Sequence, residues 1–267
     1  MMRIKPCFER LSSEGRKALM PYVTAGDPAD KTVDIMHKMV ASGADLIELG
    51  FPFSDPVADG PVIAEAHERA LSQGVTLNDV FSMVTRFREN DNTTPIVLMG
   101  YLNPVEVMGY GVFAARAAEA GVDGVLIVDL PAEFAGGLVE HLKPRQIDMI
   151  NLITPTTTDE RIQKICSVAS GFVYYVSVKG VTGSNKLDLG SVQSRVAHIK
   201  GFTDLPVGVG FGIRDGESAA AISSVADGVV VGSLLVSELA NYQRQGEGAI
   251  DRVSGHLQAM RQAMDKG

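Results

Sequence analysis

Eight short apolar runs punctuate the chain, at residues 18–26, 44–50, 94–101, 124–130, 148–155, 172–177, 205–212 and 227–233. Each is nearly continuous in Val, Ile, Leu and similar residues, the mark of strands covered on both faces in a parallel sheet. Helical periodicity fills the gaps. One helix is expected from Asp30, a good N-cap, with Val33, Met36 and Val40 on one face and Gly43 as its C′ residue. Thr157 to Glu160 read as a capping box ahead of Ile162, Ile165 and Ala169. A third helix starts at Asp215. Alternation of this kind, eight times over, predicts a closed (β/α)8 TIM barrel, one α/β domain spanning residues 1–267. The alternative, an open doubly wound sheet, lacks a GxGxxG after the first strand. Residues before 18 predict an extra N-terminal helix, with Phe8 and Leu11 on one side, capping the barrel bottom. Residues 233–264 predict one or two closing helices.

Composition narrows the class. A chain of 267 residues matches one barrel, and 45% apolar with 21% charged residues is ordinary for a globular protein. The net charge of −8 comes without any basic run, which speaks against nucleic acid and anionic membrane as partners. No apolar stretch is long enough for a membrane span, and the polar start is no signal peptide, so a cytoplasmic location is expected. Cys7 and Cys166 stand apart, as free thiols of a reducing compartment would.

Glu48 is the chemical anomaly. Strand alternation turns Ile47 and Leu49 toward the helices and Leu46, Glu48 and Gly50 into the barrel. A carboxylate there costs several kcal/mol unless compensated, and its pKa rises toward a value useful for proton transfer. The competing explanation is a buried ion pair, but no basic residue falls in the upper part of any strand. Asp59, ahead of Gly60-Pro61, is either an acid/base partner or a helix N-cap. Asp129 ends the fourth strand, at the catalytic face, or serves as an N-cap or turn former before Pro131. Tyr22, Tyr101 and Tyr174 lie late in strands one, three and six, lining a pocket for a flat substrate or simply packing the core.

Gly210-Phe-Gly-Ile213 and Val231-Gly-Ser233 follow strands seven and eight, where barrels often hold phosphate on backbone N–H groups. Gly180-Val-Thr-Gly183 could close over it; tight turns alone would also account for these glycines. The long loops 51–59 and 178–190 suit binding loops or tolerated insertions. The five histidines, His37, His67, His141, His198 and His256, fall in helical segments far from the expected mouth, so no metal site can be built from them. No strand carries a lysine near its C-terminal end, which speaks against a Schiff base; Lys179, in the long loop, is the only candidate nearby. What remains is carboxylate acid/base chemistry on a phosphorylated compound.

The segments Pro21-Tyr-Val-Thr-Ala-Gly-Asp27, Glu48-Leu-Gly-Phe-Pro-Phe-Ser-Asp-Pro56, Ala58-Asp-Gly-Pro61, Gly180-Val-Thr-Gly183 and Gly210-Phe-Gly-Ile213 closely resemble the tryptophan synthase α-subunit family. The resemblance runs through essentially the whole chain. It implies a lyase of tryptophan biosynthesis that cleaves indole-3-glycerol phosphate to indole and glyceraldehyde 3-phosphate by a retro-aldol step. It implies that Glu48 is the general acid/base and that Asp59 holds the indole N–H. It further implies phosphate contacts from Gly183, Phe211, Gly212, Gly232 and Ser233, and a substrate pocket lined by Tyr22, Tyr101, Tyr174 and Val230. Thr182 would close onto Asp129. No cofactor is implied in this chain. Pyridoxal phosphate is expected only in a partner β subunit, within an α2β2 heterotetramer, against the segment Pro52 to Pro56 and Asn103-Pro104. Val178-Lys179 and Tyr22 depart from some relatives, away from the acid/base pair. A stand-alone indole-glycerol phosphate lyase, a non-catalytic regulatory barrel, or another phosphosugar-handling barrel are the competing readings. Intact Glu48 and Asp59 speak against the second, and the third needs differently placed acid/base residues.

Overall fold

A computed structural model describes residues 2–28, 30–177, 188–210 and 212–266. Its strands are Ala18–Thr24 (β1), Ile47–Gly50 (β2), Ile96–Gly100 (β3), Gly124–Ile127 (β4), Asp148–Ile153 (β5), Val173–Val176 (β6), Val207–Gly210 (β7) and Gly228–Val231 (β8). All neighbours pair in parallel, and β8 returns to β1, so the sheet closes in sequence order. Each apolar run contains one strand, shorter than the run itself. Burial extends beyond the ladder into the turns, and apolarity alone does not mark where pairing stops.

The helices are Ile4–Ser13 (α1), Thr32–Ala41 (α2), Pro61–Ser72 (α3), Leu77–Arg88 (α4), Leu102–Met108 (α5), Tyr110–Ala120 (α6) and Gly136–Leu142 (α7). There follow Asp159–Val168 (α8), Leu189–Lys200 (α9), Gly216–Ser223 (α10), Ser233–Leu239 (α11), Tyr242–Gln245 (α12) and Glu247–Met264 (α13). The C-terminal segment thus holds three helices where one or two were expected.

Strand alternation sorts the core into two layers. Leu19, Ile47, Leu49, Ile96 and Leu98 face the helices, while Met20, Leu46, Val97, Leu126 and Ile150 fill the barrel. The α1 residues Ile4, Cys7, Phe8 and Leu11 close the bottom, with the Phe8 ring 5.8 Å from that of Phe172.

Two expected caps are corrected. Asp30 does not cap α2; the N-cap is Lys31, with no side-chain bond. Thr32 instead ties the helix start back to the preceding loop, its hydroxyl oxygen accepting the Gly26 N–H at 2.9 Å. Thr157 does not open a capping box either, since its hydroxyl accepts the Thr154 N–H (3.0 Å) and α8 starts after an uncapped Thr158. Gly43 does sit past the end of α2 with φ +101°, a conformation that glycine adopts without strain. Asp215 does cap α10, in a reciprocal box with Ser218.

One device recurs at the barrel bottom. An N–H at the start of each odd-numbered strand is taken by an oxygen at the entrance to the next even strand. Leu19 donates to Asp45 (3.0 Å), Ile96 to Asp123 (2.9 Å), Met149 to the Ser170 hydroxyl (3.0 Å) and Val207 to Asp227 (2.9 Å). The three carboxylates are neutralised by cations: Arg261 at Asp45, Arg3 and Arg88 at Asp123, Lys200 at Asp227. The fully buried charge of Asp123 in particular is tolerable only with such pairing.

Candidate active site

Glu48 projects into the barrel from β2, with Tyr22 opposite on β1 and Val97 opposite on β3. The residue is 0% exposed, and neither carboxyl oxygen has a hydrogen-bond partner. Burial alone pushes its pKa up to about 8, so the carboxyl is protonated at neutral pH. Both side chains in front of it need room. A Cβ on Gly50 would lie 2.1 Å from the Tyr22 hydroxyl, and one on Gly210 2.3 Å from that of Tyr174. Burial, helped by the nearby carboxyls of Glu48 and Asp59, holds both phenols protonated.

Above Glu48 lies a cavity of about 570 Å³. Of the residues singled out from the sequence, Tyr22, Glu48, Tyr174, Gly212, Val230, Gly232 and Ser233 line it. Val62 and Ile63 of α3, Met99, Val176, Ser177, Gly210, Ile213, Arg214, Leu234 and Ser237 complete the wall. The sequence reading had not picked out Arg214, an exposed cation beside the glycine turns at this mouth. Its place two residues past Gly212, at a barrel's usual phosphate end, was the available signal. Thr182, Gly183 and Phe211, together with Lys179 and most of the loop 178–190, lie outside the described residues.

Asp59 and Tyr101 are not among the lining residues but form their own group beside it. The Tyr101 hydroxyl donates to Asp59 Oδ2 at 2.8 Å and accepts the Ala58 N–H at 3.0 Å. Asp59 does not cap α3; Gly60 is the N-cap, without a side-chain bond. Burial raises the Asp59 carboxyl above the usual carboxylate range, and the Tyr101 bond partly offsets this. Tyr101 itself lies just beyond β3 and is buried, so its hydroxyl serves the loop rather than the cavity wall.

His67 overturns one expectation. It is not far from the mouth: its Nε2 lies 3.6 Å from Asp59 Oδ2. Its Nδ1 accepts the Phe53 N–H at 2.9 Å, so the ring proton sits on Nε2. Burial drops its pKa to about 4, which keeps the ring neutral. Phe53 stacks on Tyr101 with ring centroids 5.2 Å apart, and the His67 ring meets Tyr101 edge-on. Helical periodicity hid this histidine, because α3 folds back over its own entry loop. Asp129 is exposed and accepts the Leu102 N–H at 2.8 Å. It thus ties down the first N–H of α5 while standing in the turn before Pro131, which the Leu130 N–H closes on the Ile127 carbonyl at 3.3 Å.

Among the described residues, no three His, Cys, Asp or Glu side chains gather as a metal site, and no helix is long and apolar enough to cross a membrane. A buried acid whose burial favours the neutral form thus faces a cavity lined also by backbone turns and a cation, an arrangement suited to proton transfer.

A family model described as tryptophan synthase alpha chain matches residues 8–265. A tryptophan synthase alpha chain from Thioalkalivibrio sulfidiphilus is 59% identical over 99% of this chain and 100% of its own length. The crystal structure of tryptophan synthase subunit alpha from Legionella pneumophila superposes with a TM-score of 0.94 at 43% identity, covering 100% of both chains. A chain from the tryptophan synthase complex of Pyrococcus furiosus gives 0.81 at 36% identity, covering 92% of this chain and 98% of its own.

Proposed function

The chain belongs to the tryptophan synthase alpha chain family of enzymes, and from that premise we propose that it cleaves indole-3-glycerol phosphate to indole and glyceraldehyde 3-phosphate. One observation carries the reading: Glu48, buried, unpartnered and protonated, at the floor of the cavity. An indole ring leaves from carbon only after protonation at C3, which a positioned neutral acid supplies. Glu48 delivers that proton. The bond from C3 to the glycerol chain then breaks, and its electron pair returns to the ring. The hydroxyl on the departing carbon loses its proton to the Glu48 carboxylate and becomes the aldehyde, so the acid is regenerated. Asp59 accepts the indole N–H and stabilises the positive charge that protonation places on the ring.

The phosphate is assigned to Gly212, Gly232 and Ser233, with Gly183 and Phe211 from segments outside the described residues. Tyr22, Tyr101, Tyr174 and Val230 are assigned to the indole side, Tyr101 through Asp59. Thr182 is assigned to closure onto Asp129. Support for the phosphate end comes from its place after β7 and β8 and from Arg214 at the lip.

A β subunit carrying pyridoxal phosphate is the proposed partner, in an α2β2 assembly. Exposed apolar side chains support a contact surface on the loops after β2, β3 and β4. Val57 is 88% exposed, Val107 83% and Phe134 74%, beside Pro52 to Pro56 and Asn103-Pro104. Apolar exposure on segments that follow three neighbouring strands suits a protein interface.

The test is indole release from indole-3-glycerol phosphate by the purified chain, alone and with a β subunit. Cleavage that is accelerated by the β subunit supports both parts. Equal rates with and without it would remove the partner dependence and leave a stand-alone lyase, whereas no cleavage in either case would remove the reaction.

A further inference from the structure

His67 is buried, titratable and absent from the reaction as described above. Its two ring nitrogens are committed differently. Nδ1 accepts the Phe53 N–H at 2.9 Å, which forces the proton onto Nε2. That nitrogen lies 3.6 Å from Asp59 Oδ2. The Tyr101 hydroxyl reaches the same oxygen at 2.8 Å. Two donors from two elements, α3 and the end of β3, thus converge on one oxygen of one carboxylate. The titratable groups around Asp59 are His67 and Tyr101 at contact, with Tyr22, Tyr174 and Glu48 across the mouth.

We propose that His67 is a positioning residue for Asp59: its Nε2–H, together with the Tyr101 hydroxyl, holds Oδ2 so that Oδ1 is left to meet the indole N–H. This rests on the lyase reading above. Without the imidazole, the carboxylate can rotate about its Cβ–Cγ bond, and Oδ2 keeps only the phenol. A donor aimed at a charged acceptor contributes a substantial interaction, and more so as charge grows on the ring nitrogen in the transition state. At 3.6 Å the contact is longer than a hydrogen bond, a gap of the kind that tightens when substrate binds.

The test compares His67→Leu with His67→Gln in the full chain with its β subunit. Leucine removes both ring nitrogens. Glutamine returns an N–H near the Nε2 position but not the acceptor for Phe53. The expected result is a fall in kcat on the order of tenfold for His67→Leu, with KM moving much less, and recovery of most of that loss in His67→Gln. Melting temperatures monitor folding in both. Equal loss in the two variants would mean that His67 merely pins the loop through Phe53, and undiminished kcat in His67→Leu would remove any role; either result overturns the proposal. A second measurement does not depend on turnover. In 15N-labelled protein, the His67 Nε2–H resonance is expected to move in Asp59→Asn, and an unmoved resonance overturns the proposal. Should the wild-type chain fail to cleave indole-3-glycerol phosphate, the lyase reading falls, and this resonance still decides whether His67 holds Asp59.

Discussion

Replacing Glu48 with Gln removes the acid without changing the shape of the side chain, and its consequences for stability can be worked out. The folded-state pKa is about 8 against an ordinary value of 4.5. Below pH 4.5 the carboxyl is neutral in both states and adds no pH dependence. Between those two values the unfolded chain releases a proton that the folded chain retains. Stability therefore falls as pH rises, by about 1.4 kcal/mol per pH unit. From the lower value to neutrality the loss is about 3 kcal/mol, and it levels off above the folded pKa at roughly 5 kcal/mol. The glutamine amide cannot ionise, so Glu48→Gln carries only a pH-independent cost for its unpartnered amide, about 1–3 kcal/mol. The difference between variant and wild type should then swing in the variant's favour as pH rises. Urea unfolding of both proteins from about pH 5 to about pH 9, a window spanning the folded pKa, measures that difference directly. In parallel, indole release by the variant should be nearly abolished, and wild-type release should decline as pH passes through about 8, where the acid form is lost. Stability differences that stay constant across that range would refute the buried neutral carboxyl, and substantial activity in Glu48→Gln would refute its role as the acid.

Three further outcomes follow from the geometry. Asp59→Asn should cut kcat severely while shifting the melting temperature little, because Gly60 rather than Asp59 caps α3; a change in melting temperature alone would return Asp59 to a structural role. Gly50→Ala should destabilise by about 1–3 kcal/mol in urea unfolding, since the new methyl meets the hydroxyl of the buried Tyr22 at 2.1 Å. Asp123→Ala should cost about 3–5 kcal/mol and spare kcat in the fraction that folds, because it strands Arg88 and the Ile96 N–H at the end opposite the cavity.

The barrel was legible because its strands carry a signal that needs no context: apolar runs buried on both faces. Glu48 was legible for the same reason, as a charge set between Ile47 and Leu49 on the barrel-facing side of such a run. What the sequence hid depends on competition between local bonds. Asp30 and Thr157 are both good caps by type, yet Thr32 bonds back to Gly26, and Thr157 spends its hydroxyl on Thr154. Asp59 before Gly-Pro has the pattern of a cap, but Tyr101, 42 residues away, takes its carboxylate first. His67 could not be placed at all until the path of the loop 51–59 was known, since its partners Phe53 and Asp59 are set by that path. The substrate's identity came from the motif, not from the anomaly of Glu48; position and missing metal ligands indicated acid/base chemistry and nothing narrower.

The recurring clamp at the barrel bottom bears on how the ring assembles. Each clamp joins a strand to its successor, across separations of only 26, 27, 21 and 20 residues. Contacts this local form early and at low entropic cost. Among the described residues no equivalent clamp spans β2 to β3, β4 to β5, β6 to β7 or β8 to β1, so the chain divides into four strand pairs with seams between them. The seam between β8 and β1 is unlike the others, because it must bring together the two ends of the chain. Glu48 and Asp59 belong to the first pair, and Gly212, Gly232 and Ser233 to the last. In the proposed reaction, one molecule of substrate therefore bridges that seam, and its binding energy would register as slower opening of the ring.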